Sequence, residues 1–123
     1  MLAAFLCAFS IWFRNVSLIS GSLKNPKLGM YHQNSCLFYN RIAYDRDYSG
    51  LSTDDEEGMR IAKQLGDKSV LFMCNRGILV VAPNAARAFD DVYYLERASM
   101  TQVRHLWTSI QEGLHWGLLS KLN

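Results

Sequence analysis

The sequence predicts a single α/β domain, and its size, its composition and the order of its secondary-structure patterns support this. The chain has 123 residues, of which 50% are hydrophobic and 20% are charged, as is typical of one globular domain. Patterns for a strand, a helix, a β-hairpin and a second helix follow one another. The hairpin predicts at least one antiparallel pair of strands.

The first 21 residues (1–21) form an atypical hydrophobic segment. Residues 1–13 are apolar apart from Ser10, and Arg14 follows them directly. This run is too short to cross a bilayer, which takes about 20 residues, and it lacks the basic start of a signal peptide. It therefore predicts a buried helix or strand and makes a membrane partner unexpected. A signal peptide or anchor, with a cleavage site near Gly21, is the alternative.

A strand and a helix are predicted next. Aromatic and β-branched residues over 35–44 favour a strand. Thr53 and Glu56 have the spacing of a capping box, and the acidic run 54–57 complements the positive end of a helix dipole. Gly66 supplies a left-handed end to this helix. Its predicted apolar stripe consists of Met59, Ala62 and Leu65.

Two short apolar runs, 69–74 and 78–82, predict a hairpin whose strands are buried on both faces. The turn between them is Asn75-Arg76-Gly77. A polar side chain held rigidly at a tight turn suits a binding group. The turn is therefore the candidate functional position.

Asn84 predicts the start of a long helix that runs through about Arg104. Residues 105–123 form a helical tail, in which Gly113 and Gly117 weaken the helix pattern. The predicted buried face of the long helix, at spacings of three and four residues, is Ala85, Ala88, Phe89, Val92, Leu95, Ser99, Met100 and Val103.

Composition excludes several classes of function. A net charge of +2 gives no concentrated basic patch, so no nucleic-acid partner is expected. Cys7, Cys36 and Cys74 are odd in number and widely spaced, which fits neither a disulfide framework nor a C-x-x-C metal site. Unpaired cysteines favour a reducing compartment, and we expect a cytoplasmic location.

The titratable residues form no catalytic pattern. His32, His105 and His115 are spread over the chain without an H-x-H or H-x-x-x-H pair, whereas zinc needs three or four converging ligands. Isolated imidazoles, partly buried or at the surface, are therefore favoured. The acidic run 54–57 has acid–base catalysis as its alternative, but helix capping accounts for it.

The order of these segments resembles a known family. FYNRIAYD, VLFMCNRGILVVAPN and AFDDVYYLERA, at this spacing, resemble the C-terminal half of the class II aldolase/adducin domain over about residues 22–104. The nearest likeness is to the short class II aldolase proteins. The resemblance implies a three-layer α/β/α domain around a largely antiparallel central sheet, here lacking its N-terminal half. It also implies a homo-oligomer, commonly a tetramer.

Catalytic members of the family are zinc-dependent aldehyde-lyases or epimerases that act on small sugar-phosphate or hydroxy-acid substrates. Their zinc is held by an H-x-H pair and a third histidine in an N-H-G turn, and Arg76 occupies that third position here. Arginine has no lone pair for a metal, and residues 1–21 contain no His, Asp or Glu. We therefore predict no cofactor, metal ligand or catalytic residue in this chain. We expect the chain to be an inactive, truncated or degenerate relative of the lyases.

Two alternatives stay open. The guanidinium of Arg76 suits a phosphate or carboxylate, so this turn is a candidate anion site, against the blander interpretation of a solvated or salt-bridged arginine. The second alternative follows from the resemblance, since adducin head domains share the fold without catalysis. It is an adducin-like interaction module with actin as the partner.

Overall fold

The computed structural model describes residues 5–7, 27–47, 55–73 and 77–119, and the side chains of 27–47, 56–73 and 77–111. The described elements are β1 (Phe5–Cys7), α1 (Gln33–Cys36), β2 (Ile42–Asp45), α2 (Asp55–Leu65), β3 (Val70–Met73), β4 (Gly77–Ala82) and α3 (Ala85–Leu119). The described strands form one sheet in the order β1-β4-β3-β2. The predicted α/β class is confirmed.

The sheet is mixed. β4 pairs antiparallel with both β1 and β3, whereas β2 pairs parallel with β3. The β3–β4 pair confirms the predicted hairpin, and side chains on both of its faces are buried, namely Val70, Leu71, Phe72, Ile78, Leu79 and Val80. Two of the three described strand pairs are thus antiparallel and one is parallel, where the family resemblance implied a largely antiparallel sheet.

Helices cover both faces of the sheet. Ile42 and Tyr44 of β2 pack against the core that the inner face of α3 also joins. Side chains alternate along a strand, so Asp45 lies on the other face, and there Arg60 of α2 forms an ion pair with it. α2 and α3 therefore lie on opposite sides of the sheet.

The predicted strand over 35–44 is wrong at its start, where α1 and a turn replace it. The hydroxyl of Ser35 accepts from the backbone N–H of His32 and donates to the carbonyl of the same residue. Such local bonds compete with an extended chain. Asn40 then adopts a φ of +56°, and β2 begins only at Ile42.

The predicted apolar stripe of α2 is wrong at Met59 and Ala62, whereas its third member, Leu65, is partly buried. Met59 is 67% exposed, and Ala62 is exposed. The partly buried face of α2 consists of Glu57, Arg60, Ile61 and Leu65. The helix turns this face to the sheet because an ion pair lies beneath it, as described below. The predicted left-handed end at Gly66 is confirmed by a φ of +58°.

The long helix begins as predicted. The side chain of Asn84 accepts a hydrogen bond from the backbone N–H of Arg87 at 2.8 Å, and α3 then runs for 35 residues, past Gly113 and Gly117. Two positions of the predicted buried face are exposed, Ala85 and Phe89, whose exposure is 65%. Ser99 is buried as predicted, and two polar side chains outside the predicted face, Asp91 and Gln102, are buried as well.

Several predicted features fall partly or wholly outside the described residues. Of segment 1–21, only β1 is described, and it is a strand paired with β4. The capping residue Thr53, the end of the predicted run 69–74 at Cys74, and the turn residues Asn75 and Arg76 are not described. Within the described residues, no helix combines the length and the hydropathy that crossing a membrane requires.

Candidate functional site

The candidate site is the end of the sheet at which β2 and β3 stop and β4 starts. Asp45 is in register with Met73, and Met73 with Gly77. Gly77 has a φ of +111°, which glycine adopts without strain. Asn75 and Arg76 lie outside the described residues, so anion binding by Arg76 stays a prediction.

Three charged side chains, Asp45, Glu57 and Arg60, meet at this end of the sheet and are called the sheet-end cluster. Arg60 Nη2 lies 2.7 Å from Asp45 Oδ2. Arg60 also donates to both carboxylate oxygens of Glu57, from Nε and from Nη2, at 2.8 Å each. The Asp45 side chain is only 2% exposed. The cluster therefore ties α2 to the last residue of β2.

The contacts of the sheet-end cluster hold its side chains in place and do not favour proton transfer. Asp45 Oδ1 accepts the backbone N–H of Asp47 at 3.1 Å, while its Oδ2 faces the guanidinium. Hydrogen bonds to Glu57, and then to Asp45, raise the pKa of Arg60 further above its ordinary value. Arg60 is thus permanently charged, and both carboxylates serve as its partners.

A second ion-pair cluster lies at the other end of β2. Arg41 Nη2 lies 2.6 Å from Asp91 Oδ2, and Arg41 Nε donates to the hydroxyl of Ser69 at 3.0 Å. Arg87 Nε approaches the other oxygen of Asp91 at 3.5 Å. This cluster connects the starts of β2 and β3 to the first turns of α3.

The three histidines hold separate positions. His32 precedes α1, and its Nδ1 accepts backbone N–H groups of Asn34 and Ser35. His105 is exposed on α3, with its ring centroid 5.6 Å from that of Tyr31. His115 also lies on α3, and its side chain is outside the described residues.

The residues that the structure describes do not fit a zinc ion. No three His, Cys, Asp or Glu side chains among the described residues converge on a point that could hold a metal. Zinc takes three or four N, S or O ligands in tetrahedral geometry. His32 already uses Nδ1 as an acceptor for backbone N–H groups. The chain has only two further histidines.

Sequence reasoning missed both ion-pair clusters. Glu57 was grouped with the capping run, although its spacing to Arg60 is the i, i+3 spacing of a helical ion pair. That local signal could have identified half of the sheet-end cluster. Asp91 and Arg41 are 50 residues apart, so no local sequence pattern predicts their contact.

Sequence comparison finds similarity to one family. Residues 4–103 match the family described as Class II Aldolase and Adducin N-terminal domain. A Caulobacter vibrioides protein named "Putative aldolase class 2 protein" is 38% identical over 74 residues, which cover 60% of this chain and 28% of that protein. Alpha-adducin of Rattus norvegicus is 41% identical over 66 residues, which cover 53% of this chain and 9% of alpha-adducin.

The structure of the chain is also similar to solved structures of class II aldolase proteins. An aldolase II superfamily protein from Pseudomonas syringae superimposes with a TM-score of 0.68 at 29% identity, covering 77% of this chain and 37% of that protein. L-fuculose 1-phosphate aldolase from Glaciozyma antarctica matches in fold, with a TM-score of 0.52 at 24% identity. The chain thus spans well under half the length of these relatives.

Proposed function

Since the chain belongs to the class II aldolase and adducin N-terminal domain family, we propose that it is a degenerate, non-catalytic relative of the zinc-dependent aldehyde-lyases. Catalytic relatives act on small sugar-phosphate or hydroxy-acid substrates. This chain supplies the family fold without a metal centre. The proposal rests above all on the donor set, in which Arg76 stands where the family resemblance places a histidine ligand.

The chemistry of arginine explains why the reaction would fail. A guanidinium carries five N–H donors, no lone pair and a positive charge at every accessible pH. At the turn it would repel a divalent cation. In catalytic relatives, the resemblance implies, zinc stabilises the negative charge of an enediolate. Without zinc, that charge has no equivalent stabilisation among the described residues, whose sheet-end cluster contains two carboxylates and one guanidinium.

An aldol-cleavage assay tests the proposal. We expect the purified 123-residue chain, given zinc and L-fuculose 1-phosphate, to release aldehyde no faster than buffer. The Glaciozyma antarctica aldolase serves as the positive control. The variant Arg76→His should stay inactive, because one restored histidine does not complete a set of three or four ligands. Zinc-dependent cleavage by the unchanged chain would contradict the proposal.

A second candidate function is an adducin-like interaction module that binds actin. The observation that favours it, besides the similarity to alpha-adducin, is a set of exposed apolar side chains on α3. Phe89 is 65% exposed and Trp107 is 64% exposed. Phe89 and Trp107 lie about five helical turns apart, on the same side of α3, and large exposed apolar patches mark surfaces that contact other proteins.

Co-sedimentation with actin filaments tests the second candidate. If it is right, the chain pellets with filaments, and a Phe89→Ser/Trp107→Ser double variant pellets several-fold less. Met59→Ser is the matched control, because Met59 is equally exposed but lies on α2. The absence of the unchanged chain from the pellet would rule out actin as its partner.

A further inference from the structure

A row of mainly apolar side chains runs along α3 beside the face that packs on the sheet. Its members follow one another at alternating spacings of four and three residues. We call this row the α3 stripe, and it consists of Phe89, Tyr93, Glu96, Met100, Val103, Trp107 and Ile110. Such alternation over three heptads is the pattern of a helix that packs lengthwise against another helix.

Much of the α3 stripe is exposed on the single chain. The exposed fraction is 65% for Phe89, 46% for Tyr93, 64% for Trp107 and 58% for Ile110. At about 1.5 Å per residue, the stripe is about 32 Å long. A row of large exposed apolar side chains is unfavourable in water and marks a contact surface. Within the part of the chain that the structure describes, no second helix covers this row.

The charged side chains on the outward side of the α3 stripe are arranged by sign along the helix. The acidic residues Asp90 and Glu96 come first, and the basic residues Arg97 and Arg104 follow them. The guanidinium of Arg97 lies over the ring of Tyr93 in the same chain, 5.6 Å from its centroid. This side of the helix therefore has no net charge from these four residues, which favours contact with an identical surface.

The other titratable groups of α3 within this stretch belong to the opposite side of the helix. Asp91 pairs there with Arg41, and His105 lies beside the ring of Tyr31. At 100° per residue, both are about half a turn away from the stripe. They therefore do not face a helix that packs on it.

The positions of the charges fit an antiparallel pair of stripes. Glu96 lies four residues before Met100, and Arg104 lies four residues after it. If a two-fold axis passes at Met100, Glu96 of each copy lies at the level of Arg104 of the other. In a parallel pair, each Glu96 would instead lie at the level of the other Glu96, and such like-charge contacts are unfavourable.

We propose that the α3 stripe is the interface of an antiparallel homodimer whose two-fold axis passes at Met100. Both copies use the same surface in such a contact, so the pair of Glu96 and Arg104 forms twice. The rings of Tyr93 and Trp107 lie at the same level across the interface and supply apolar area, while the charges determine the direction of pairing. This inference rests on the spacing and charges of α3 and is independent of the proposed loss of catalysis.

Sedimentation equilibrium with charge-exchange variants tests the proposal. We expect the unchanged chain to reach twice the mass of one chain, which is 14.0 kDa. Glu96→Lys and Arg104→Glu should each raise the dimer dissociation constant by roughly 3- to 30-fold, because each brings like charges together twice. The double variant should recover most of the affinity, because the pair forms again with its signs exchanged. Lys63→Glu reverses a charge at an exposed position of α2 and should leave the constant unchanged.

Two results would overturn the homodimer. One is the mass of a single chain at every soluble concentration, and binding of that monomer to actin filaments would assign the stripe to actin instead. The other is a double variant that dimerises no more tightly than the single variants.

A measurement on the unchanged chain covers the case of a variant that does not fold. In a mixture of isotope-labelled and unlabelled chains, intermolecular NOEs should connect the ring of Tyr93 with that of Trp107. A dimer without these NOEs would exclude the antiparallel pairing.

Discussion

Asp91 is a buried carboxylate that forms ion pairs with two arginines, Arg41 and Arg87. Its side chain is 6% exposed. We expect Asp91→Ala to lower the free energy of unfolding by about 2–4 kcal/mol, because removing one partner leaves the partly buried Arg41 without its charge partner. Urea denaturation measures this change.

Asp90 provides the matched control. It is the neighbouring aspartate on the same helix, and it is exposed. Asp90→Ala should change the free energy of unfolding by no more than about 0.5 kcal/mol, as is usual for surface substitutions. Equal effects at Asp90 and Asp91 would show that the ion pair of Asp91 does not stabilise the fold.

Tyr44 gives the fold a dependence on alkaline pH. Burial raises the pKa of Tyr44 above its ordinary value of 10.0, and the hydrogen bond from the Leu28 backbone N–H opposes this in part. The folded chain thus holds the phenol proton more tightly than the unfolded chain does. The associated stability is complete below about pH 10 and is lost as the pH rises through the folded-state pKa.

The variant Tyr44→Phe isolates this effect. We expect its free energy of unfolding to fall less steeply above pH 10 than that of the unchanged chain, as measured by urea denaturation at a series of pH values. Tyr39→Phe should retain the full dependence, because Tyr39 is exposed. A Tyr44→Phe curve parallel to the others would contradict burial as the cause.

At the scale of single elements, Gly58 within α2 and Gly66 directly after it should respond in opposite directions to substitution by alanine. Gly58 lies within the helix, and an added Cβ would meet nothing within 4 Å. Gly58→Ala should therefore stabilise the protein by about 0.5–1 kcal/mol. Gly66 has a φ of +58°, so Gly66→Ala should destabilise it by about 1 kcal/mol. Thermal denaturation of both variants checks the signs, and two changes of the same sign would contradict the assigned backbone conformations.

The sequence predicted the elements that local chemistry determines. Asn84 supplies a cap, Gly66 supplies a left-handed stop, and two apolar runs around a glycine turn supply a hairpin, and the structure confirms all three. Each signal needs only residues within a few positions of one another. Local chemistry was misjudged at Ser35, whose hydroxyl bonds to the backbone of His32 and replaces the start of a strand with a turn of helix.

Which face of each helix packs against the sheet is determined by contacts between residues far apart in the sequence, and no local pattern predicts these contacts. The composition of α2 suggested an apolar stripe through Met59, yet the face that meets the sheet contains Arg60, because its partner Asp45 ends a strand beneath it. Likewise, the buried face of α3 includes Asp91, whose partner Arg41 is 50 residues away. Within the sheet-end cluster, the pair of Glu57 and Arg60 has a local i, i+3 signal, whereas the contact of Arg60 with Asp45 has none. Asn75 and Arg76 of the candidate turn lie outside the described residues, so their role stays a prediction.

At the scale of the whole molecule, the exposed face of α3 predicts self-association. The resemblance implies a homo-oligomer, and Phe89 and Trp107 remain exposed on the single chain. We expect light scattering coupled to size exclusion to give a mass above 14.0 kDa by a whole-number factor. Phe89→Ser/Trp107→Ser should shift the mass towards that of one chain, whereas Met59→Ser should not. A monomeric unchanged chain would contradict this expectation.

We propose that this chain, unlike its catalytic relatives, has no specific zinc site. Equilibrium dialysis against zinc, with bound metal measured per chain, tests it most directly. We predict no saturable site at micromolar zinc for the unchanged chain, and no gain in Arg76→His. One zinc bound per unchanged chain, and lost in a double variant of His32 and His105, would contradict the claim and show that these histidines converge.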